Sequence, residues 1–430
     1  MKFSKFERAT LAAVLSLGVA ATISACGRAG YNNTVDYVYV TNSKNNPGQV
    51  NVYYADANSG ALTQIADSPY PSGGRNPVGL VTSPTLKYLY VINHDDNTIV
   101  EFGIGTDAKL YPQHTYNTPG TFPNAIAINS AGTFLFVTDT YQPQYTAANP
   151  GPGALVVFPI NVADGSLGSP VANGNLAYFP LSLGETDVLN PTALNVVTAS
   201  GSGSSSSNFV YVASQNSTTG LGDISAFSVG SDGTLTVIPC SPATSDCDST
   251  GNGAFNAGVN PSAIASTPLG LFLYISDSAS SLLYSYNIQA NGQITSIAGG
   301  PYKTDVNPDA VTVDPRGEFV YVANYSGNDI NAFSIVTPSS TSASATPRGS
   351  LASVGSYGTG TGPTCVFVEP NLGSYVYTTN FLDNTISGLN IELTTGSLAP
   401  VQNTPFLAAG QPTCIGATPH RKEPAIVPAN

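Results

Sequence analysis

A short apolar strand pattern with an aromatic residue recurs seven times along the chain. Each copy is rich in Val, Tyr, Leu and Ile and ends in polar residues. The copies read VYVTN (38–42), LYVIN (89–93), LFVTD (135–139), VYVAS (210–214), LYISD (273–277), VYVAN (320–324) and VYTTN (376–380). A repeat of this size cannot bury its apolar faces alone and must stack on its neighbours. The pattern therefore predicts one repeat architecture, although the length of 430 residues by itself suggests two or three domains.

A second apolar segment, most often beginning Asn-Pro, accompanies each aromatic strand. These segments are NPVGLVTSP (76–84), FPNAIAINS (122–130), NPTALNVVT (190–198), NPSAIASTP (260–268), NPDAVTVDP (307–315), GPTCVFVEP (362–370) and QPTCIGATP (411–419). A third strand and a Gly-x-Leu turn into a fourth strand follow in most copies. The strands are short and bounded by Gly, Pro, Asn and Asp, and the mature chain shows no convincing helical period. Four strands in each of seven copies predict an all-β, seven-bladed β-propeller.

The two ends of the repeat region complement each other. The first aromatic strand, Tyr37–Thr41, has no inner strand before it, and the last inner strand, Gln411–Thr418, has no aromatic strand after it. We therefore expect the C-terminal strand to complete the N-terminal blade, which leaves no open sheet edge. Alternation along one strand further predicts that Phe319, Tyr321 and Ala323 face one neighbouring blade and that 320 and 322 face the other.

The N-terminal segment has the features of an export signal. Lys2, Lys5 and Arg8 precede an apolar stretch at 9–24, which is too short to favour a membrane span. The sequence Ile23–Cys26 resembles the lipobox of bacterial lipoproteins, in which the Cys is lipidated; an ordinary signal peptide is the alternative. The expected organisation is a signal peptide (1–25), a lipidated tether (26–36), the propeller (37–419) and a tail (420–430). Gly27 favours the outer membrane, so we expect a bacterial cell-envelope protein held to the membrane through Cys26.

The charge of the chain bears on the class of ligand, and its cysteine content bears on disulfide formation. The net charge is −13 and only 9% of residues are charged, and the lack of a basic stripe argues against nucleic acid as a ligand. Four cysteines remain beside Cys26. Cys240 and Cys247 share one loop, so a local disulfide is expected in an exported chain. Cys365 and Cys414 occupy equivalent places in consecutive repeats, where they form either a second disulfide or two buried small side chains.

The aromatic strand resembles the YVTN repeat, and the arrangement over about residues 35–419 resembles the seven-bladed lactonase family. That family includes bacterial 6-phosphogluconolactonases and fungal carboxymuconate cyclases. The resemblance implies lactone chemistry at the channel mouth, carried by His, Arg and Glu near the starts of the inner strands. In this chain those starts carry Asn, Pro, Ala and Cys instead.

Few ionisable residues lie on the face that carries the inner-strand starts, which we call the upper face. Lactone opening requires a base for water and donors for the oxyanion. The catalytic candidates are His94, Arg75 and Glu185. The ligand-binding candidates are Arg75, Asn76, His94, Asp95, Asp309 and Tyr325. Three of these readings have a structural alternative: a solvated loop for His94, a surface turn for Arg75, and capping of the turn before Pro for the Asn residues. No metal-ligand spacing and no cofactor motif is present.

Two functions fit these observations. The first is a monomeric surface or periplasmic binding or scaffold module, whose long upper-face loops at 141–153, 168–190 and 239–258 would hold a glycan, a peptide or a protein. The alternative is a lactonase-like hydrolase of a small anionic sugar lactone, of the 6-phosphogluconolactonase type.

Overall fold

Seven antiparallel sheets form a closed ring in the computed structural model, which describes residues 33–181, 187–200, 206–240, 246–247, 253–337 and 347–420. Each blade has an inner, a second, a third and an outer strand, and a further two-residue strand extends blades 1, 4, 5 and 7. The predicted seven-bladed, all-β propeller is therefore confirmed. A single 3₁₀ turn, His94–Asp96, is the helical element of the described residues.

The strands of each blade run in order from the inner to the outer edge. Blade 1 comprises Pro412–Pro419, Thr34–Asn42, Gln49–Asp56, Leu62–Gln64 and Tyr70–Pro71; blade 2, Pro77–Thr82, Tyr88–Asn93, Thr98–Ile104 and Leu110–Asn117; blade 3, Thr121–Ile128, Phe134–Tyr141, Ala154–Pro159 and Phe179–Pro180; blade 4, Leu189–Ser200, Ser206–Asn216, Leu221–Val229, Leu235–Val237 and Phe255–Asn256. Blade 5 comprises Pro261–Ser266, Phe272–Asp277, Leu282–Ile288, Ile294–Ser296 and Tyr302–Lys303; blade 6, Pro308–Val313, Phe319–Asn324, Asp329–Ile335 and Leu351–Gly358; blade 7, Pro363–Val368, Tyr375–Asn380, Thr385–Ile391, Leu398–Pro400 and Phe406–Leu407.

The ring closes through the two ends of the propeller, as predicted. The C-terminal strand Pro412–Pro419 pairs antiparallel with Thr34–Asn42, so that Tyr37 lies opposite Thr418. The N-terminal strand is flanked on its other side by Gln49–Asp56. It is therefore a central strand of blade 1, which explains why all nine of its residues are buried.

The hydrophobic core lies between the blades. Phe319, Tyr321 and Ala323 pack against blade 7, where they share a cluster with Val376 and Leu389. The intervening positions, 320 and 322, pack against blade 5. Both faces of a blade are thus buried, which accounts for apolar runs without strict alternation and confirms the predicted facing of these side chains.

A tyrosine hydroxyl links most blades to the next one. The tyrosine lies in the second strand, and its hydroxyl donates to the carbonyl of the glycine that turns the third strand of the following blade into the outer strand. The O···O distances are 2.6 Å for Tyr90–Gly165, 2.9 Å for Tyr211–Gly292, 3.0 Å for Tyr274–Gly349, 3.2 Å for Tyr321–Gly396 and 2.8 Å for Tyr377–Gly60. The last pair joins blade 7 to blade 1 and is part of the ring closure.

Glycine is required in these turns for two reasons. Gly60 has a φ of +66°, in the left-handed region that other residues adopt only at a cost. A Cβ at Gly60 would also lie 2.3 Å from the ring of Tyr375. The Gly-x-Leu signal of the sequence is therefore a contact between blades as well as a turn.

Replacement of Tyr377 by Phe should cost about 1–2 kcal/mol of unfolding free energy, because the buried carbonyl of Gly60 would lose its donor. Urea denaturation measures this loss. Tyr321→Phe, at an internal joint, should cost a similar amount if the ring is closed, and Tyr111→Phe, whose side chain is exposed, should cost little. Equal midpoints for wild type and Tyr377→Phe would contradict the proposed closing contact.

Candidate functional site

The upper end of the central channel is formed by one bulged residue from each inner strand. In every blade the register shifts at the residue after the first proline, between Pro308 and Ala310 in blade 6 for example. The seven bulged residues, which we call the throat, are Val78, Asn124, Thr192, Ser262, Asp309, Thr364 and Thr413. Bulges re-aim side chains and are frequent beside active sites.

Hydrogen bonds run from the throat of one blade to the inner strand of the next. Ser262 Oγ donates to the carbonyl of Pro308 at 2.6 Å, and Thr413 Oγ1 donates to that of Pro77 at 2.6 Å. Equivalent bonds join Thr364 to Pro412 (3.2 Å) and Asn124 to Pro191. The throat is thus a largely polar belt that also connects adjacent blades.

Asp309 is the ionisable member of the throat. It is half-buried, and none of the described residues donates a hydrogen bond to its carboxyl group. Burial raises the pKa of Asp309 to about 6. An ionised carboxylate has no hydrogen to donate, so Asp309 cannot form the hydrogen bond to the next blade that Ser262 forms. Its carboxylate is instead a proton acceptor at the channel mouth.

A second group of ionisable residues lies on the rim beside blades 2 and 3. Arg75 precedes the inner strand of blade 2, and its Nε donates to Asp96 Oδ1 at 2.7 Å. The backbone N–H of Arg75 donates to the other oxygen of Asp96, and its Nη2 donates to the carbonyl of Asp95 at 3.0 Å. These hydrogen bonds from Arg75 lower the pKa of Asp96. Arg75 lies in an exposed turn, and several hydrogen bonds orient its side chain there.

His94 belongs to the same rim cluster. Its Nδ1 lies 2.7 Å from Asp95 Oδ1, and this hydrogen bond lowers the pKa of Asp95. The imidazole stacks on Phe122, with ring centroids 4.8 Å apart and planes 15° apart. When Nδ1 donates to Asp95, Nε2 keeps its lone pair and is able to accept a proton. His94 lies in a partly exposed loop, where a carboxylate and an aromatic ring orient its imidazole.

Phe122 was not recognised from the sequence as a functional residue. It occupies the place held by Asn in four other copies and has a φ of +60°. The backbone N–H of Phe122 bonds to Asn97 Oδ1 at 2.7 Å, and Gly120 bonds to the buried Asp139 at 2.8 Å. The departure from Asn-Pro to Phe-Pro was the available signal.

The remaining predicted residues lie elsewhere. Asn76 joins the rim cluster, where its Nδ2 donates to Asp95 at 3.2 Å, but its φ of +53° also fits the expected turn before Pro. Tyr325 lies at the joint of blades 6 and 7, against Gly362, and is not part of the rim cluster. Glu185 falls outside the described residues.

Below the throat, the channel contains a cavity of about 410 Å³, most of whose lining residues are apolar. Its wall includes Leu80, Ile126, Leu194, Phe367 and Ile415 from five different blades. Across the described part of the chain, no group of three or more His, Cys, Asp or Glu side chains could hold a metal ion. Nor does this part contain a helix long and apolar enough to cross a membrane.

The cysteines behave differently in the two predicted pairs. Cys240 and Cys247 form a disulfide, as expected. Cys365 and Cys414 are thiols with their sulfur atoms 3.6 Å apart. The structure thus contains the second pair as neighbouring thiols and not as a bond.

Substitution of Asp309 by Asn should change how stability depends on pH. The folded-state pKa of about 6 exceeds the ordinary value of 3.8, so the folded state retains a proton that the unfolded state releases. Wild-type stability should therefore fall as pH rises from about 4 to 6. Asp309→Asn should lack this fall and be about 1–2 kcal/mol more stable at pH 8, allowing for partial exposure.

Urea midpoints at pH 4, 5, 6 and 8 test this expectation. The exposed Asp305, whose substitution by Asn leaves the throat intact, serves as the control. Parallel pH curves for wild type and Asp309→Asn would show that Asp309 does not titrate in this range.

The fold and site together define the protein as a closed seven-bladed β-propeller with a largely polar throat and a rim cluster of His, Asp and Arg side chains. The match to Lactonase, 7-bladed beta-propeller, covers residues 29–147 and 224–366. The chain belongs to this family. No curated protein matches the chain.

Solved structures show the same fold at low sequence identity. A Bacteroides uniformis protein provisionally named a 6-phosphogluconolactonase is 18% identical, with a TM-score of 0.66 over 90% of this chain and 100% of that one. The periplasmic gluconolactonase of Pseudomonas aeruginosa is 17% identical, with a TM-score of 0.64 over 90% and 99%. At these identities the likeness concerns the fold.

Proposed function

We propose that this protein hydrolyses a small lactone at the rim above its throat. The observation that carries the proposal is the convergence of His94, Asp95 and Arg75 within one hydrogen-bonded cluster. A general base and a cationic donor at one mouth are what lactone opening requires. Membership in the lactonase family supports this alternative over the binding or scaffold module, which the sequence had favoured.

The reaction follows from the roles of these side chains. His94 Nε2 takes a proton from water as the water oxygen attacks the lactone carbonyl carbon. Arg75 stabilises the resulting oxyanion through the part of its guanidinium that Asp96 does not occupy. When the tetrahedral intermediate collapses, the ring C–O bond breaks and the alkoxide receives the proton from His94. The product is the open hydroxy acid.

Asp95 orients the base in this mechanism. A carboxylate on Nδ1 fixes the imidazole tautomer and stabilises the imidazolium that forms during attack. Phe122 restricts the ring by stacking on it. Asp309 lies in the throat, where its carboxylate can accept hydrogen bonds from the hydroxyls of a sugar substrate.

Substitution of His94 by Gln should lower kcat/KM by about 10²–10⁴, because the base would be lost while the hydrogen bond to Asp95 is retained. Hydrolysis of glucono-δ-lactone and 6-phosphogluconolactone, followed by acid release at constant pH, measures this loss. His114→Gln is the matched control, because His114 is exposed on the outer strand of blade 2. Wild-type turnover must exceed the spontaneous rate, and absence of turnover across a panel of sugar and aryl lactones would end the proposal.

An anionic substrate has a candidate anchor in Lys44. This side chain lies in the upper loop of blade 1, is exposed, and has no ion pair within the described residues. Its aliphatic stem lies against Gly410, just before the closing inner strand, and blade 1 adjoins the Arg75 blade. An exposed ammonium group on the upper loop of the neighbouring blade favours a phosphate or carboxylate on the lactone.

The variant Lys44→Ala should raise KM for 6-phosphogluconolactone by about 10-fold and leave that for glucono-δ-lactone nearly unchanged, because only the first carries the phosphate. Steady-state kinetics on the two substrates measure the difference. Lys87→Ala, which removes an exposed lysine at the opposite end of blade 2, is the control. An equal effect on both substrates would argue against an anion anchor.

We also propose that the propeller acts in the bacterial cell envelope, attached to the outer membrane through a lipid on Cys26. The support is the charge and hydropathy of the first 26 residues; Cys26 itself lies outside the described residues. Mass determination of the membrane-extracted protein, with Cys26→Ser as the control, tests the lipid.

A further inference from the structure

Two thiols lie next to each other at the joint where the ring closes. Cys365 belongs to the inner strand of blade 7, and Cys414 belongs to the C-terminal strand that completes blade 1. Their sulfur atoms are 3.6 Å apart. Formation of a bond between them requires the sulfur atoms to approach by about 1.6 Å, to the roughly 2.0 Å separation of a disulfide.

Packing alone does not explain the two sulfur atoms. Both cysteines occupy the position directly after the throat residue, and the other five blades place Ala or Gly there. These residues are Gly79, Ala125, Ala193, Ala263 and Ala310. A side chain of one carbon or none therefore satisfies this position, and the chain carries sulfur only at the two adjacent blades of the closing joint.

The closing joint is also the place where a cross-link has a distinct effect. The C-terminal strand is held to Thr34–Asn42 by strand pairing. Thr364 forms a hydrogen bond to this strand across the joint with blade 7, and Thr413 and Thr82 form hydrogen bonds across the joint with blade 2. A covalent bond to blade 7 would keep the strand in place when its pairing opens.

We propose that Cys365 and Cys414 form a reversible disulfide that fastens the C-terminal strand to blade 7. The oxidant is a small disulfide, such as oxidised glutathione. The Cys414 thiolate attacks one sulfur of the oxidant and releases one thiol. The Cys365 thiol then loses its proton and attacks Cys414 Sγ, which releases the second thiol. Two protein thiols are thus oxidised and one small disulfide is reduced to two thiols.

The surroundings of the pair fit this order of attack. The hydrogen bond from Cys365 lowers the pKa of Cys414. The same hydrogen bond, followed by burial and the charge of Cys414, raises the pKa of Cys365. Both residues are only half-buried, and Leu80 and Ile415 beside them line the channel cavity, which offers a route for a small oxidant.

The test is oxidation of the full chain, compared with a variant that lacks both thiols. Wild-type protein is incubated with oxidised glutathione, alkylated under denaturing conditions and mapped by mass spectrometry, which separates this pair from Cys26. We expect a peptide that joins Cys365 to Cys414 and a melting midpoint raised by a few degrees; dithiothreitol should reverse both. Cys365→Ala/Cys414→Ala should fold, because Ala occupies this position in other blades, and its midpoint should not respond to the oxidant.

Three results would overturn the proposal. They are full alkylation of both thiols after oxidation, glutathione adducts or links between chains in place of the internal bond, and an internal bond that leaves the midpoint unchanged. The double variant Cys240→Ala/Cys247→Ala should keep the oxidant response of the wild type, which assigns the response to the closing joint.

Discussion

Contact between neighbouring blades is the constraint on which the rest of this structure depends. A four-stranded blade buries neither of its faces by itself, so its apolar side chains leave water only when another blade lies on each side. The tyrosine-to-glycine hydrogen bonds also require a neighbouring blade, because donor and acceptor always belong to different blades. The same requirement applies to the final joint. Blades 7 and 1 each lack one of their two neighbours until the C-terminal strand pairs with Thr34–Asn42 and completes blade 1.

The closing joint contains two buried carboxyl groups. Asp36 and Glu369 are both fully buried there. Burial, and then the charge of Glu369, raise the pKa of Asp36 to about 10, so Asp36 keeps its proton at neutral pH. Glu369 accepts backbone N–H groups of its own turn, from Asn371, Leu372 and Ser374. One negative charge is thus accommodated by local donors, and the second is avoided by protonation.

The fold was predictable because its signals are local and repeated. The aromatic strands, the Gly-x-Leu turns and the split first blade each follow from residue order, and Phe319–Ala323 face the blades that alternation assigns to them. The throat was not predictable in this way. Its bulges arise from the pairing register of inner and second strands, which no short run of residues specifies. His94 and Phe122 belong to different blades, so their stacking could not be predicted from the sequence around either residue.

Function in this propeller is therefore expected where the repeat is broken. At conforming positions, residues serve the ring: the polar residue that ends the aromatic strand is buried in most blades and fixes the upper loops, as Asn93 does through Ser72 and Asp277 through Val259 and Asn260. Phe122 and Asp309 each depart from the repeat in one blade, and Cys365 and Cys414 depart from it in two adjacent blades. Each lies at the upper mouth or directly below it. A seven-fold scaffold supplies seven similar positions, and chemistry requires that some of them differ, because a base, a donor and a substrate cannot occupy equivalent sites.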